Sequence, residues 1–410
     1  MGTNTDIAII GAGPYGLSLA AHLNAAGLDV RVFGKPMHFW RTKMPDGMVL
    51  KSEGFASDLW HPDDALTLEK FCAERRLPYQ RTGLPIPLQT FCDYGQEFQQ
   101  RFVPNLDQRW VTSLDRKDDH FELRIQDRDV VTARRVVLAP GIGSFQYTPC
   151  ELDGIAGPQS SHSTAVKVLD PFVGKKVLVI GGGASGVELA GLLSQKGASV
   201  TVATRQPRIA FCGLPTTNTL WDNIQRPESG LGTGWRSLAC VKAPMVFYHM
   251  PQSFRHMVVR KHLGPAPGWT SREEVERNVT VLLEANPESS SIRGTQAAVT
   301  FRVSNRTQQT IEADHVIAAT GFRVDVRRLE FVSPRIINSL VLEDKTPALS
   351  PHFETSVPGL FMIGVTAANS FGPLLRFAYG AGFASRRLSG FLARNAGRQP
   401  VRAEAELVTA

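Results

Sequence analysis

The sequence predicts an α/β fold of two doubly wound units, one set inside the other, and two observations carry that expectation. A short apolar strand, a glycine loop, an amphipathic helix and a second strand follow one another from Asp6 to Phe33, and the same succession returns from Val177 to Ala203. In the first unit the strand is Ile7 to Ile10, the loop Gly11-Ala12-Gly13-Pro14-Tyr15-Gly16, the helix runs to about Ala26, and Val30 to Phe33 closes it. In the second the strand is Val177 to Ile180, the loop Gly181-Gly182-Gly183-Ala184-Ser185-Gly186, the helix runs to Lys196 and the closing strand is Val200 to Ala203. The first glycine of each loop allows a tight turn, the second lets backbone approach a pyrophosphate, and the third lets the helix pack on the strand. The helix N-terminus then offers unpaired N–H groups and the positive end of its dipole to the phosphates. One such loop is a weak signal; two, each in phase with strand and helix, imply Rossmann-like units for two dinucleotides. Gly11, Gly13, Pro14 and Gly16 are the cofactor-binding candidates of the first loop, and Gly181, Gly183, Ser185 and Gly186 those of the second.

A chain of 410 residues, 42% hydrophobic, has ample core for two or three domains. Its formal charge of +7 is spread without a long Lys/Arg block, so anionic cofactors and substrate explain the excess and nucleic acid is not expected. Five scattered cysteines, with no C-x-x-C, argue for a reducing compartment and against a dithiol redox centre. The start Met1 to Thr5 is polar, and no stretch approaches the ~20 apolar residues of a membrane span, so a cytoplasmic protein without signal peptide is expected. The histidines lack ligand spacing, and no metal is expected.

At the end of the first unit's closing strand, where an Asp or Glu usually holds the adenosine ribose, stands Gly34. Either a neighbour such as Lys35 or His38 substitutes, or the ribose is held loosely. Met37 to Arg41 and Met44 to Ser52 read as irregular, aromatic segments; Leu66 to Arg76 reads as a helix started by Asp63 or Asp64, and Thr90 to Phe102 as another. Arg109 to Ser113, Phe121 to Gln126 and Asp129 to Thr132 read as hairpin strands, and Arg135 to Ala139 as a separate strand ending in Pro140-Gly141. Thr148 to Pro171 has the composition of a linker. The strand from His315 ends in Thr320-Gly321, repeating the form of the strand before Gly141. The stretch 206–269, with Trp221, Trp235, Trp269 and many prolines, shows no periodicity and reads as an insertion capping a pocket. After Pro358 a strand closes on Gly364, and Phe371-Gly372-Pro373 opens a helix whose apolar face includes Leu374, Phe377, Ala381, Leu388 and Phe391, with Arg376 one turn in. The expected domains are 1–150 and 322–410, two parts of one unit, with 171–321 the inserted unit. At the end of the second unit's closing strand the acid of an NAD-selective site is replaced by Thr204-Arg205, which predicts NADPH over NADH with Arg205 on the 2′-phosphate.

The two glycine loops, His162-Ser163 in the linker, and Ala319-Thr320-Gly321-Phe322 together resemble the class B flavoprotein monooxygenases over nearly the whole chain. The first half, with Phe39-Trp40, the Met44 to Ser52 run and Pro85-Ile86-Pro87-Leu88, is similar to bacterial FAD-dependent urate hydroxylase and lysine or ornithine N-hydroxylase sequences. Only His162 and Ser163 of the family's linker fingerprint stand in register, which argues against a Baeyer–Villiger role, and the family's flavin-side asparagine is replaced near Ser52.

The resemblance implies FAD at the first unit and NADPH at the second, hydride transfer to the flavin, and oxygen captured as a flavin hydroperoxide that attacks nitrogen or carbon of a small-molecule substrate. It implies cofactor contacts at Trp40, Arg41, Gly141, His162, Thr320, Gly321, Gly364 and the Phe371-Gly372-Pro373 turn, with Ser52 and Arg376 nearest the chemistry. Substrate and molecular oxygen are the expected partners, for a monomer or homo-oligomer. A flavin reductase without oxygen transfer, a Baeyer–Villiger enzyme and a non-enzymatic redox sensor are the alternatives.

Overall fold

The structure, a computed structural model, describes residues 4–213, 224–262, 264, 266–304 and 307–396. Its two glycine loops sit on two separate sheets. In the first, Asn4–Ile10 lies between Val30–Phe33 and Val130–Leu138, all parallel, with Ile7 opposite Val30 on one side and Arg135 on the other. Val130–Leu138 serves two neighbours on its far edge. Its beginning pairs antiparallel with His120–Ile125, which pairs with Val111–Lys117, and its end pairs parallel with Leu360–Met362 from the C-terminal segment. The two stretches read as separate strands on either side of Ala133-Arg134 are therefore one, because alternation continues unbroken from Val131 through Ala133 to Arg135 on the buried face.

The second sheet is wholly parallel, in the order Thr280–Leu282, Ser199–Ala203, Lys176–Ile180, His315–Ala318, Ser160–His162. All of it lies in chain order between Leu138 and Leu360, so one doubly wound unit is inserted into the other. The edge strand Ser160–His162 comes from the segment of linker composition. A three-stranded antiparallel sheet, Asn286–Arg293, Gln296–Arg302 and Gln308–Ala313, leads into the strand at His315.

The first unit's helix Pro14–Ala25 packs between the long helix Leu88–Phe102 and the C-terminal helix Ala381–Arg394. Phe91, Tyr94 and Phe98, fully buried, form the inner face of Leu88–Phe102. Each such side chain contributes about 1.5–3 kcal/mol by leaving water. The far end of the unit is tied by Arg135, 3% exposed, which donates to both oxygens of Asp6 and to the Asn395 carbonyl.

Several local expectations are corrected. The segment after Gly34 contains a helix, His38–Lys43, entered through Met37 at φ 53°, so one left-handed residue starts what the proline and polar residues concealed. The helix expected from Leu66 begins at Leu68 and is capped by the Thr67 hydroxyl, which accepts from Lys70 N–H, not by Asp63 or Asp64. The helix expected to start at Pro373 starts at Ala381. Pro373–Arg376 and Ala378–Gly380 are short 3-10 turns, separated by Phe377 in extended conformation. The insertion is helical in its described part, at Trp235–Lys242, Pro244–Tyr248 and Gln252–Lys261; Trp221 lies outside the described residues. Among the described residues no helix is long and apolar enough to cross a membrane, and no group of three or more His, Cys, Asp or Glu side chains is placed to hold a metal ion.

Candidate dinucleotide sites and the seam between them

The two loops are built alike to the level of single atoms. Gly11 has φ +119° and turns beneath the carbonyl of Ala139, leaving no room for a Cβ; Gly181 has φ +136° and turns beneath the carbonyl of Ala319 in the same way. Ala139 N–H donates to Ile10 O at 2.9 Å, and Ala319 N–H to Ile180 O at 2.9 Å. Gly16 and Gly186 face the carbonyls of Gly11 and Gly181, so a side chain at either would force helix from strand. Gly13 meets nothing within 4 Å, while Gly182 lies against Thr204.

Both helices begin without a side-chain cap and without an acidic residue in the first turn, and the first carries Pro14 at its start. Uncapped N–H groups at a helix start, with no carboxylate before them and open space at Gly13, fit the pyrophosphate of a dinucleotide.

The ends of the closing strands differ. Gly34, at φ +122°, donates its N–H to the Asp107 carbonyl at 2.9 Å. Asp107 brings a carboxylate near this strand, yet Arg109 holds both its oxygens and Arg31 lies 3.6 Å away, which keeps its pKa below the usual carboxylate range. Lys35 and Arg41 are exposed, and His38, edge-on to Trp110, has its pKa lowered by burial and by Lys35, Lys43 and Arg41. In the second unit Thr204 is buried and its hydroxyl accepts from Gln206 N–H, which leaves Arg205 exposed.

A seam joins the units. His162 donates from Nε2 to the Gly321 carbonyl at 3.2 Å, and its Nδ1 accepts from the Thr164 backbone N–H at 3.3 Å and lies 2.9 Å from the Thr164 hydroxyl. A backbone N–H can only donate, so the ring proton sits on Nε2; burial lowers the pKa of this histidine and keeps it neutral. Gly321 also accepts from Tyr147 N–H at 3.0 Å, and Thr320 donates its hydroxyl to the Tyr147 carbonyl. Phe322 stands edge-on to both His162 and Phe39, and Phe39 faces Gly143, two residues past the exposed Gly141. Trp40, half-buried, packs edge-on against Phe91. The Met44 to Ser52 run crosses to the second unit: Asp46 pairs with Lys167 at 2.6 Å, and Lys51 Nζ donates to the Ala266 carbonyl at 2.9 Å. Ser52 Oγ lies 2.8 Å from Ser57 Oγ.

The C-terminal segment covers the first loop. Gly364, φ +80°, lies against the ring of Tyr15, whose hydroxyl donates to Phe377 O at 2.7 Å with Leu375 O at 3.1 Å. Burial pushes the Tyr15 phenol well above its ordinary pKa. Gly372, at φ +94°, turns against the Phe247 ring and Pro373 is buried. Two expectations change here. Phe371 is 0% exposed, its ring enclosed by Tyr248, Phe353 and Phe383, so it is a core group and not a wall of a cofactor site. Arg376 is half-buried, and its Nη1 donates to the carbonyls of Val259 and His262, at 3.0 and 3.4 Å. It ties the insertion to the C-terminal segment, and burial without a carboxylate partner lowers its pKa.

Three residues of the seam escaped the sequence reading. Tyr15 was hidden inside the glycine motif, and the aromatic among small residues was its only signal. Lys51 stood in the right segment without a sign of its role. Glu188, whose pKa burial raises, accepts the Gly268 N–H at 2.8 Å, and an acid on the inner face of an otherwise apolar helix was the available cue.

A chain with two such loops on nested doubly wound units is a two-dinucleotide oxidoreductase, and its cofactors are FAD and NADP(H). It belongs to the pyridine nucleotide-disulphide oxidoreductase family, which matches residues 5–225, over half of the chain. Ferredoxin–NADP reductase of Streptococcus pneumoniae (strain Hungary19A-6) is 28% identical over 208 residues, 49% of this chain and 54% of that protein. The same enzyme of Gluconobacter oxydans (strain 621H) is 26% identical over 268 residues, 65% of this chain and 62% of that protein. The chain thus spans only 54% and 62% of the length of these two relatives. Among solved structures, an ornithine N-hydroxylase of Kutzneria sp. 744 superposes with a TM-score of 0.79 over 96% of this chain and 99% of that one, at 15% identity. A flavin-containing monooxygenase from Stenotrophomonas maltophilia gives 0.65 at 19% identity over 95% and 99%, and a bacillithiol disulfide reductase from Staphylococcus aureus 0.64 at 18% over 96% and 99%. At these identities the likeness is one of fold.

Proposed function

We propose that the chain is an FAD-dependent, NADPH-consuming monooxygenase that oxygenates nitrogen or carbon of a small organic substrate. In this reading 1–150 and 322–410 form the flavin domain and 171–321 the NADPH domain. The observation that carries it is how the 206–269 insertion is fastened. Arg376 reaches Val259 and His262, Arg255 reaches Glu343 and the Asn369 carbonyl, Tyr248 reaches the Leu349 carbonyl, and Lys51 reaches Ala266. In this reading an insertion tied at four points to the 44–52 run and the C-terminal segment serves to keep water from the reacting centre, which oxygen transfer requires. Electron delivery to a protein carrier requires instead an accessible flavin edge.

A flavin held at the first loop would supply the hydride-accepting and oxygen-activating chemistry, and NADPH the reducing equivalents. The chain's own residues hold and orient. The helix start at Gly13-Pro14, with Gly11 and Gly16, takes the flavin pyrophosphate, and Gly183, Ser185 and Gly186 with Gly181 take that of NADPH. Lys35, Trp40, Arg41 and Gly141 line the flavin side of the seam; His162, Thr320 and Gly321 line the nicotinamide side. Gly364 keeps the C-terminal backbone close over the first loop, and Gly372 and Pro373 turn it against Phe247 of the insertion. Ser52 offers a hydroxyl where a side-chain amide stands in similar enzymes.

The curated relatives favour a second reading, a flavin reductase that hands electrons to a carrier protein. The two separate by the fate of oxygen. With NADPH, ¹⁸O₂ and a panel of amines and heteroaromatics, the monooxygenase incorporates one ¹⁸O into product, consuming NADPH and oxygen one to one. Electrons recovered in a ferredoxin with no labelled product would establish the second, and electrons recovered wholly as hydrogen peroxide would overturn the first.

A further inference from the structure

A cavity of about 450 Å³ lies where the insertion meets the C-terminal segment, with walls that include Trp60, Val241, Met245, Leu374, Tyr379 and Phe383. It is within the range that holds small ligands. A second recess, of about 300 Å³, adjoins it across Phe383 and Arg386, which line both, and is walled by Arg387, Arg394 and His352. The first is apolar with Lys242 and Arg386 at its edge; the second is cationic. Among the described residues no carboxylate lines either one.

The charges are held in place. The Arg386 guanidinium lies over the Trp60 ring, 4.9 Å from its centroid, Arg387 donates Nε to the Pro351 carbonyl, and His352 stacks on Phe391. Burial lowers the pKa of Arg387, and the like charge of Arg394 adds a smaller push in the same direction, a repulsion that an anion would relieve. Among the described residues the indole N–H of Trp60, whose ring lies against Gly382, is buried with no acceptor. A buried donor without a partner costs free energy unless something fills the role. At the rim, Val246 is 60% exposed, an apolar side chain left in water at the mouth of an apolar cavity.

We propose that these two recesses form one binding site for a single-tailed anionic amphiphile, its tail in the apolar cavity and its carboxylate or phosphate head against Arg386, Arg387 and Arg394. The site does not depend on the reaction assigned above. The tail leaves water against Val241, Met245 and Leu374, and the head supplies the negative charge that the arginine cluster lacks.

Titration calorimetry and Trp60 fluorescence on the full-length FAD-loaded protein test it, with sodium decanoate, decyl phosphate and 1-decanol below micelle-forming concentrations. Saturable binding of one decanoate or decyl phosphate per chain is expected, and the tighter of the two identifies the head. Decanol should bind roughly tenfold more weakly. Arg386→Gln should weaken both anions roughly tenfold and leave decanol unchanged. Met245→Glu should weaken all three. Flavin content and melting temperature report that each variant is folded, and Arg386→Gln changes an exposed side chain. No saturable binding to the folded wild type, equal affinity for decanol and decanoate, or indifference of a folded Arg386→Gln protein would overturn the site.

Discussion

The first glycine loop is covered and the second is open, although the two are built from the same atoms in the same places. Each turns beneath an alanine carbonyl, that of Ala139 or of Ala319, and each starts an uncapped helix. Above the first, however, the C-terminal segment closes down through Gly364 and through Tyr15, whose hydroxyl holds Phe377. Above the second, Ser185 and Arg205 remain exposed. One backbone device thus stands in two surroundings, one covered by the C-terminal segment and one open to solvent. The difference lies outside the motif, in what the rest of the chain lays over it.

The largest expected effect separates fold from ligand within one loop. Gly11→Ala places a Cβ into the Ala139 carbonyl at φ +119°, so overlap and strain add to on the order of 5 kcal/mol, and the protein should express poorly and without flavin. Gly13→Ala meets nothing of the protein within 4 Å. Its flavin-free melting transition should match wild type within about 0.5 kcal/mol while bound flavin, read by absorbance, falls sharply. Full flavin in Gly13→Ala would break the assignment of this loop.

Both units hold carboxylates whose pKa burial raises, Asp58 and Glu354 in the first and Glu188 in the second. Asp58, with Oδ1 accepting Leu68 N–H at 2.6 Å, is pushed up to about 7 by burial. Between about pH 4 and pH 7 the folded protein keeps this proton and the unfolded chain has lost it, so stability falls as pH rises, by at most about 4 kcal/mol. Asp58→Asn retains an oxygen for Leu68 and should flatten the slope in denaturant titrations across that window. A slope unchanged in the variant would remove Asp58 as its source.

The openness of the second loop is sharpened by Arg205. Arg205→Ala should cost about 1.5–3 kcal/mol of NADPH binding, roughly one to two powers of ten in Kd, and leave NADH nearly untouched. Equal losses for the two donors in steady-state kinetics would show Arg205 to be a solvated charge.

The smallest expected effect concerns the roof. Arg376→Ala removes the bonds to Val259 and His262, worth about 1–3 kcal/mol together. Hydrogen exchange should quicken in Gln252–Lys261 and uncoupled peroxide should rise, with flavin content retained. Unaltered exchange in that helix would detach Arg376 from the insertion.

Much of this was legible in the chain itself. Strand, loop and helix at Gly11 and Gly181 follow from short-range rules, because a tight turn and a close helix need glycine at fixed spacing. The strand before Gly141 and the one before Gly321 were recognisable as a pair for the same reason. The insertion 206–269 was legible only as an irregular interval, since its helices are short and stabilised by distant partners such as Glu343 and Asn369. The helix placed at Pro373 was an overreach of local logic. Proline suits a first turn, but Gly380 must pass beneath the Leu374 carbonyl and beside Tyr15, which a continuous helix would not permit.

By itself the sequence determined the two nucleotide units and the absence of an acid at Gly34, each a property of one short strand–loop–helix–strand stretch, whereas their nesting is completed by the pairing of Leu360–Met362 with Val130–Leu138. Only the tertiary structure decided that Phe371 is core, that Arg376 is a tie, that Tyr15 latches the C-terminal segment, and that Arg386 stands between an apolar cavity and a cationic one. Those roles are set by residues as far apart as Tyr15 and Phe377 or Trp60 and Arg386, and no local pattern encodes which distant surfaces will meet when the core closes.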